Sequence, residues 1–332
     1  MSNITYREAS RRAIREEMLR NSRVIILGQD VEFQFDETIK QELGAERIRN
    51  TPISEAAFIG AGIGAALTGM RAIVELGCCT FLYSAMDQIV NQAAKSRYMF
   101  GGQANIPLVI RMPVFSALSA AAHHSDRPWG LFAQAPGLKI IVPTTPYDIK
   151  GLLKAAIRDG NPILCFEECT FGDQCGEVPD EDYTVPIGVA NVRHFGSDTT
   201  IVAVGSSVQH SLTAARLLEA EGISAEVIDI RTVVPLDRPT ILESVAKTGR
   251  LVIVDPAPGT CSVASEIAAT VAQELFECLK GPIVRVTAPD VPIPFSPALE
   301  RLIYPTAESI AAAVQKQWNR RRLSLVDAVE SA

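Results

Sequence analysis

Two places in this chain combine residue types and spacing that could do proton chemistry. The first is Thr51-Pro52-Ile53-Ser54-Glu55, which leads straight into small and apolar residues from Ala56 to Met70. Ser54 is expected at the N-cap and Glu55 in the first turn of a helix over 54–69, where the helix dipole favours a carboxylate. Gly60, Gly62, Gly64 and Gly69 each cost helix stability, so they point to another backbone in close approach. On these residues alone the stretch also describes a buried helix with an acidic first turn, packed tightly inside one domain.

The second place is His123-His124, in a chain with only four histidines. His194 lies near an expected linker and His210 within an expected helix, so both read as structural or surface residues. His123-His124 instead follows Arg111-Met112-Pro113 and the small-residue run Ser116 to Ala122, in a loop after an expected strand. Ligands of parallel α/β sheets collect beyond the carboxyl ends of strands. A histidine there can give or take a proton near neutral pH. Taken alone, the pair fits a site and incidental loop histidines equally.

The elements that must position these groups alternate. An amphipathic helix over 4–21 precedes a buried strand over 24–27. Helix 54–69 precedes strand 72–76, helix 83–98 precedes strand 107–112, and helix 146–158 lies between strands 138–142 and 163–167. Residues 170–196 lose this periodicity among glycines, prolines and acids, which places a linker at 176–198. Strands at 200–204, 225–229, 251–254 and 283–287 then alternate with helices at 206–221, 237–248 and 262–279. The expected fold is α/β: two domains, 1–175 and a smaller 199–332, each with a mostly parallel sheet flanked by helices. The basic residues after Trp318, Arg320 to Arg322, read as a solvated helix end.

Bulk properties exclude several classes. The 332 residues suffice for two cores, and 47% hydrophobic with 21% charged residues is ordinary globular composition. A formal charge of −7 argues against nucleic acid or an anionic membrane as partner. Apolar runs stop well short of a bilayer span, and the first residues lack a signal-peptide pattern. Seven cysteines without Cys-x-x-Cys or paired Cys/His spacing predict reduced, mostly buried thiols in the cytoplasm rather than zinc. There is no Gly-x-Gly-x-x-Gly after a strand, no Walker lysine loop and no Gly-x-Ser-x-Gly elbow. The chain thus offers an acid and a histidine, but no cradle for a phosphorylated cofactor.

Several long runs are collinear with a known family. They are Thr51 to Ala56, Asp87 to Lys95, His124-Ser125, Pro136 to Lys139, Tyr147 to Leu153, Val227 to Thr232 and Val286 to Pro292. Through them the chain resembles, end to end, the β subunit of the thiamine-diphosphate-dependent 2-oxo acid dehydrogenases, in the pyruvate, branched-chain and acetoin group. The resemblance implies a transketolase-like pyrimidine-binding domain followed by a transketolase C-terminal-like domain for subunit association. It implies a heterotetramer of two α and two β subunits in which α holds the diphosphate through Mg²⁺ and β receives the aminopyrimidine. It also implies a 2-oxo acid or acetoin as substrate and a lipoyl acyltransferase as acyl acceptor.

Residue by residue, Glu55 falls on the family's glutamate that hydrogen-bonds N1′ of the aminopyrimidine, and Ile53 lies beside it in the cofactor-binding stretch. Phe81 falls on the aromatic that packs on that ring. His124 falls on the histidine implicated in orienting substrate or passing the acyl group on. Leu108, Ala156, Ile157, Asp159 and Asn161 match a potassium site built largely from backbone carbonyls, the oxygen ligands hard cations prefer. Three departures surround His124 and the cofactor: Asp126-Arg127-Pro128-Trp129-Gly130, Gln134 in place of a histidine, and Gly77-Cys78-Cys79-Thr80 with fewer aromatics. They leave two other readings open, a two-subunit carboligase without a lipoyl acceptor and a non-catalytic partner of an α-like chain.

Overall fold

The structure is a computed structural model that describes residues 1–330, with side chains through residue 319. By internal contacts the chain forms two compact units. The first is Met1–Gly188 with Thr232–Pro235 and Pro294–Pro297; the second comprises the intervening and following residues.

The first unit is built on a seven-stranded sheet. Its order is Thr232–Val234, Lys139–Ile141, Ile163–Glu168, Leu108–Val114, Arg71–Glu75, Val24–Gly28 and Ile48–Asn50. Every pairing is parallel except that of Thr232–Val234. The central strands are apolar on both faces because helices cover both. Tyr6–Arg20 and Pro146–Arg158 bury Ala13, Ile14, Ile149, Leu152 and Leu153 in one core with Ile73 and Val109. Helix Glu55–Leu67 buries Phe58, Ile59 and Ile63 and packs against strand Arg71–Glu75.

The glycines of that helix have different tasks. A Cβ on Gly62 would sit 2.6 Å from Val74 Cγ2 and 3.3 Å from Leu108 Cδ1, so Gly62 serves packing inside the domain. Gly64 and Gly69 meet nothing within 4 Å, and Gly69, at φ +98°, follows the helix end where glycine relieves the left-handed strain.

Four expectations are corrected here. The helix expected over 4–21 begins only at Tyr6, because Ile4 and Thr5 belong to the strand Ser2–Thr5, and Thr5 Oγ1 then caps the helix by accepting from Glu8 N. The stretch 176–198 is no free linker: Cys175–Val178 pairs antiparallel with Ser2–Thr5, and Asn191–His194 edges the second sheet. The helix expected over 83–98 breaks into a 3₁₀ segment Cys79–Ala85, a π segment Asp87–Ala93 and an α segment Ala94–Met99. Of the seven thiols, all unpaired, Cys78, Cys79 and Cys165 are buried, whereas Cys175, Cys261 and Cys278 are exposed.

The second unit has the sheet order Val284–Ala288, Leu251–Pro258, Thr199–Ala203, Ala225–Asp229, Asn191–His194, antiparallel only at the last pair. Its core joins Ile201, Val227, Val252 and Val254 to Leu218, Ile310 and Val314. His194 Nδ1 lies 2.8 Å from Ala225 O, a structural partner within this unit. The final helix runs to Glu330, but the side chains of Arg320 to Arg322 lie outside the described residues. Among the described residues no helix is long and apolar enough to cross a membrane.

Candidate active site

Three strands of the first sheet end on one edge and release the loops that carry the candidate residues. After Ile48–Asn50 the chain reaches Glu55, after Arg71–Glu75 it reaches Phe81, and after Leu108–Val114 it reaches His124. Glu55 is the first residue of its helix, as its apolar continuation requires. Ser54 stands at the N-cap position but does not cap: its hydroxyl donates to Pro52 O at 3.1 Å. Glu55 is half-buried. Its Oε2 lies 3.4 Å from Ser84 Oγ, and the same hydroxyl lies 2.8 Å from Phe81 O. One hydroxyl proton cannot serve both, and the shorter bond to Phe81 O takes it. The Glu55 carboxylate therefore keeps most of its accepting capacity for something else. The Phe81 ring in turn meets the His124 imidazole edge-on, with centroids 5.5 Å apart and planes at 69°. Glu55, Ser84, Phe81 and His124 thus follow one another in contact along the sheet edge. Ile53, 71% exposed, sits beside this row.

The loop bearing His124 is held under strain. Ala117, Ser119 and Ala121 all have positive φ, at 52°, 55° and 62°. Non-glycine residues pay about 1–2 kcal/mol each for such conformations. Side chains of the segment after strand Arg71–Glu75 bind its backbone: Thr80 Oγ1 donates to His123 O at 2.5 Å and Cys79 Sγ to Asp126 O at 3.1 Å. Cys78 Sγ lies 3.1 Å from Thr80 Oγ1 and 3.4 Å from His124 O. The two thiols split: the contact between them holds Cys78 down to about 6, against burial, and lifts Cys79 well above the ordinary thiol value. Tyr83 donates to Asp126 Oδ2 at 3.1 Å, and burial together with that carboxylate raises its phenol. Sequence reasoning read Cys78-Cys79-Thr80 only as a loss of aromatics. Three consecutive small donors were the available signal.

Both halves of the chain match known domains. Residues 2–168 match the family described as "Transketolase, pyrimidine binding domain" and residues 188–310 match "Transketolase, C-terminal domain". The Cupriavidus necator protein "Acetoin:2,6-dichlorophenolindophenol oxidoreductase subunit beta" is 46% identical over 318 residues, covering 92% of this chain and 94% of that one. The chain belongs to the transketolase family, in the group of dehydrogenase β subunits. Another such relative, "Pyruvate dehydrogenase E1 component subunit beta" of Rhizobium meliloti, is 43% identical over 95% of this chain and 70% of its own length. The solved structure described as "Split gene transketolase, inactive beta4 tetramer" superposes with a TM-score of 0.78 at 26% identity, covering 95% of this chain and 98% of that one.

The family's cofactor is thiamine diphosphate, and the residues present fit one end of it. An acid with spare accepting capacity stands beside a half-buried aromatic, the pair an aminopyrimidine needs for a hydrogen bond and a stacking surface. Next to Phe81, a Cβ on Gly77 would stand in ordinary contact with Gln29 Oε1 at 3.5 Å and Phe81 Cε2 at 3.8 Å. Among the described residues no group of three His, Cys, Asp or Glu side chains is arranged to hold a metal.

Of the residues matched to a potassium site, Ala156, Ile157, Asp159 and Asn161 lie in one turn, Leu108 begins the strand Leu108–Val114, and three of the turn's carbonyls are already engaged. Arg71 Nη1 donates to Ile157 O and to Asp159 O, each at 2.8 Å, and Ala156 O accepts from Asp159 N at 3.2 Å. The Asp159 side chain accepts from Lys139 and from Asn161, contacts that lower its pKa against the opposing cost of burial. Each carbonyl retains a second lone pair. An alkali cation here would share its ligands with a guanidinium.

Proposed function

We propose that this chain is the β half of a thiamine-diphosphate-dependent dehydrogenase acting on a 2-oxo acid or acetoin. The observation that carries this reading is the row Glu55, Ser84, Phe81 and His124, with the Glu55 carboxylate open toward its rim. The cofactor, when bound, supplies the carbon nucleophile and electron sink for cleaving the bond beside the substrate carbonyl. Glu55 exchanges a proton through its carboxylate oxygen with the aminopyrimidine nitrogen, and Phe81 orients that ring. His124 is exposed and offers its imidazole to substrate or acyl group as donor or acceptor. Ile53 closes the apolar side of the cofactor pocket.

In this reading an α subunit holds the diphosphate and Mg²⁺ in a tetramer of two α and two β chains, and a lipoyl acyltransferase takes the acyl group. The domain over 1–175 receives the aminopyrimidine, and the domain over 199–332 serves association. The free state of all seven thiols supports work in the cytoplasm. Potassium at the 156–161 turn beside Arg71 is the remaining part of the proposal. Replacing choline chloride by KCl at equal ionic strength should raise the melting temperature, and no rise means that Arg71 alone satisfies the turn.

The deciding experiment is co-expression with an α partner and assay of a panel of 2-oxo acids and acetoin, first with dichlorophenolindophenol and then with a lipoyl domain. Reductive acylation of the lipoyl domain establishes the dehydrogenase. Turnover with the dye alone, or carboligation products, moves the assignment to a synthase without a lipoyl acceptor.

A further inference from the structure

The departure at 126–130 places Arg127 three residues from His124, where a cation could contact substrate. The structure puts it elsewhere. Arg127 is 5% exposed and its Nε points at Glu168 Oε1, 3.4 Å away. Its Nη2 donates to Ser116 Oγ, Ser116 Oγ donates to Glu168 Oε2, and Nη1 faces Ser125 O at 3.5 Å. Glu168 ends strand Ile163–Glu168, directly opposite Val114 in the register of the neighbouring strand. Ser116 begins the His124 loop just after Val114 and Arg127 closes it, so both stems of the loop finish on one carboxylate.

The imidazole itself has no such anchor. Among the described residues its ring contact is the edge of Phe81, whereas the backbone carbonyls of His123, His124 and Asp126 and the Asp126 carboxylate are held by neighbouring side chains. Where a side chain lacks its own partners, the backbone beneath it sets its position.

We propose that Arg127, Glu168 and Ser116 are positioning residues for His124, a buried clamp that closes the strained loop and sets where the imidazole stands. The inference rests on the catalytic reading of His124. Glutamate is required because its reach spans two strands, serine because one hydroxyl both donates to Glu168 and accepts from Arg127, and arginine because its fork makes several directed bonds. The thiol and hydroxyl of Cys79 and Thr80 brace the same backbone from the other side.

The test uses the cofactor-loaded complex with the α partner and three variants. Glu168→Gln and Ser116→Ala weaken the clamp. The double variant Arg127→Met with Glu168→Met removes both charges together, which avoids an unpaired buried charge and favours folding. Hydrogen exchange of residues 115–128 should accelerate at least tenfold in the variants while the strands exchange unchanged. In the same samples kcat should fall at least tenfold with KM shifted less than threefold. Unchanged exchange in the double variant overturns the clamp, as does faster exchange with unchanged kcat. His124→Gln separates the two claims. Its inactivity with unchanged loop exchange in the clamp variants sinks the clamp alone. Full turnover by His124→Gln, with slow clamp variants, sinks the link between clamp and histidine.

Discussion

The two sheets of this chain both end on buried acids, yet use them in opposite ways. In the first sheet the acids are the buried Glu75 and Glu168 with the partly buried Glu167, and they reach sideways. Arg111 bridges Glu75 on one neighbouring strand and Glu167 on the other, with Nε 2.7 Å from Glu167 Oε1, and adds Ser10 Oγ at 2.6 Å. In the second sheet the acids are Asp229 and Asp255, both fully buried, and they curl forward. Asp229 Oδ1 accepts from Arg231 N at 2.9 Å and Asp255 Oδ1 from Ala257 N at 3.0 Å, although Asp229 also faces Arg193 at 3.7 Å. One methylene makes the difference: aspartate reaches its own backbone two residues on, whereas glutamate reaches the next strand. The first edge therefore becomes a cross-linked platform under the loops of Glu55, Phe81 and His124, and the second merely finishes its turns.

The largest expected effect tests whether chemistry belongs to the first edge alone. Glu55→Ala should lower turnover by about 10²–10⁴-fold, with tetramer assembly intact by light scattering. Retained turnover would remove the functional half of the contrast. Next, Arg111→Met leaves the buried Glu75 and the partly buried Glu167 without their cation and should cost about 3–5 kcal/mol in urea unfolding. A loss below that of an ordinary surface mutant would show that the platform contributes nothing. Asp255→Ala deprives the Ala257 N–H of its acceptor and should cost about 1–3 kcal/mol, with kcat unchanged in the assembled enzyme. A change in kcat would make the second edge functional.

The smallest effect is one of pH. Burial is the largest influence on Glu75 and raises its pKa above the unperturbed 4.5, with Arg111 opposing. A raised folded-state value contributes stability that is present below the unfolded value and lost as pH rises through the folded one. The stability advantage of the wild type over Glu75→Gln should therefore shrink as pH climbs from 4.5, read from urea midpoints. An advantage that grows with pH would mean that Arg111 outweighs burial.

The alternation of strands and helices was legible because buried parallel strands and amphipathic helices each leave a periodic trace. Glu55 and His124 stood out as proton-bearing residues at a helix start and in a loop after a strand, and the structure brings them into one row with Ser84 and Phe81. The break of the 83–98 helix was not, because local bonds such as Phe81 N to Cys78 O and Ser84 Oγ to Phe81 O compete with helix propensity without changing composition. Ser54 shows the same competition, its hydroxyl turned back to Pro52 O instead of capping. The claim of Arg71 on the carbonyls of the 156–161 turn was invisible to spacing, because backbone carbonyls belong to every residue.

What the sequence determined by itself was the α/β class and the two-part organisation, since these follow from periodicity; Glu55 and His124 it offered as candidates, through their place at element boundaries and the family resemblance. Tertiary structure alone decided that Ser84 and Phe81 join Glu55 to His124, that Gly62 serves packing against Val74, and that Arg127 spends its charge on Glu168 beneath the loop. The physical reason is reach. Periodicity records which face of an element is buried, but a hydrogen bond or ion pair is made between residues far apart in the chain, and only folding brings them within 3 or 4 Å.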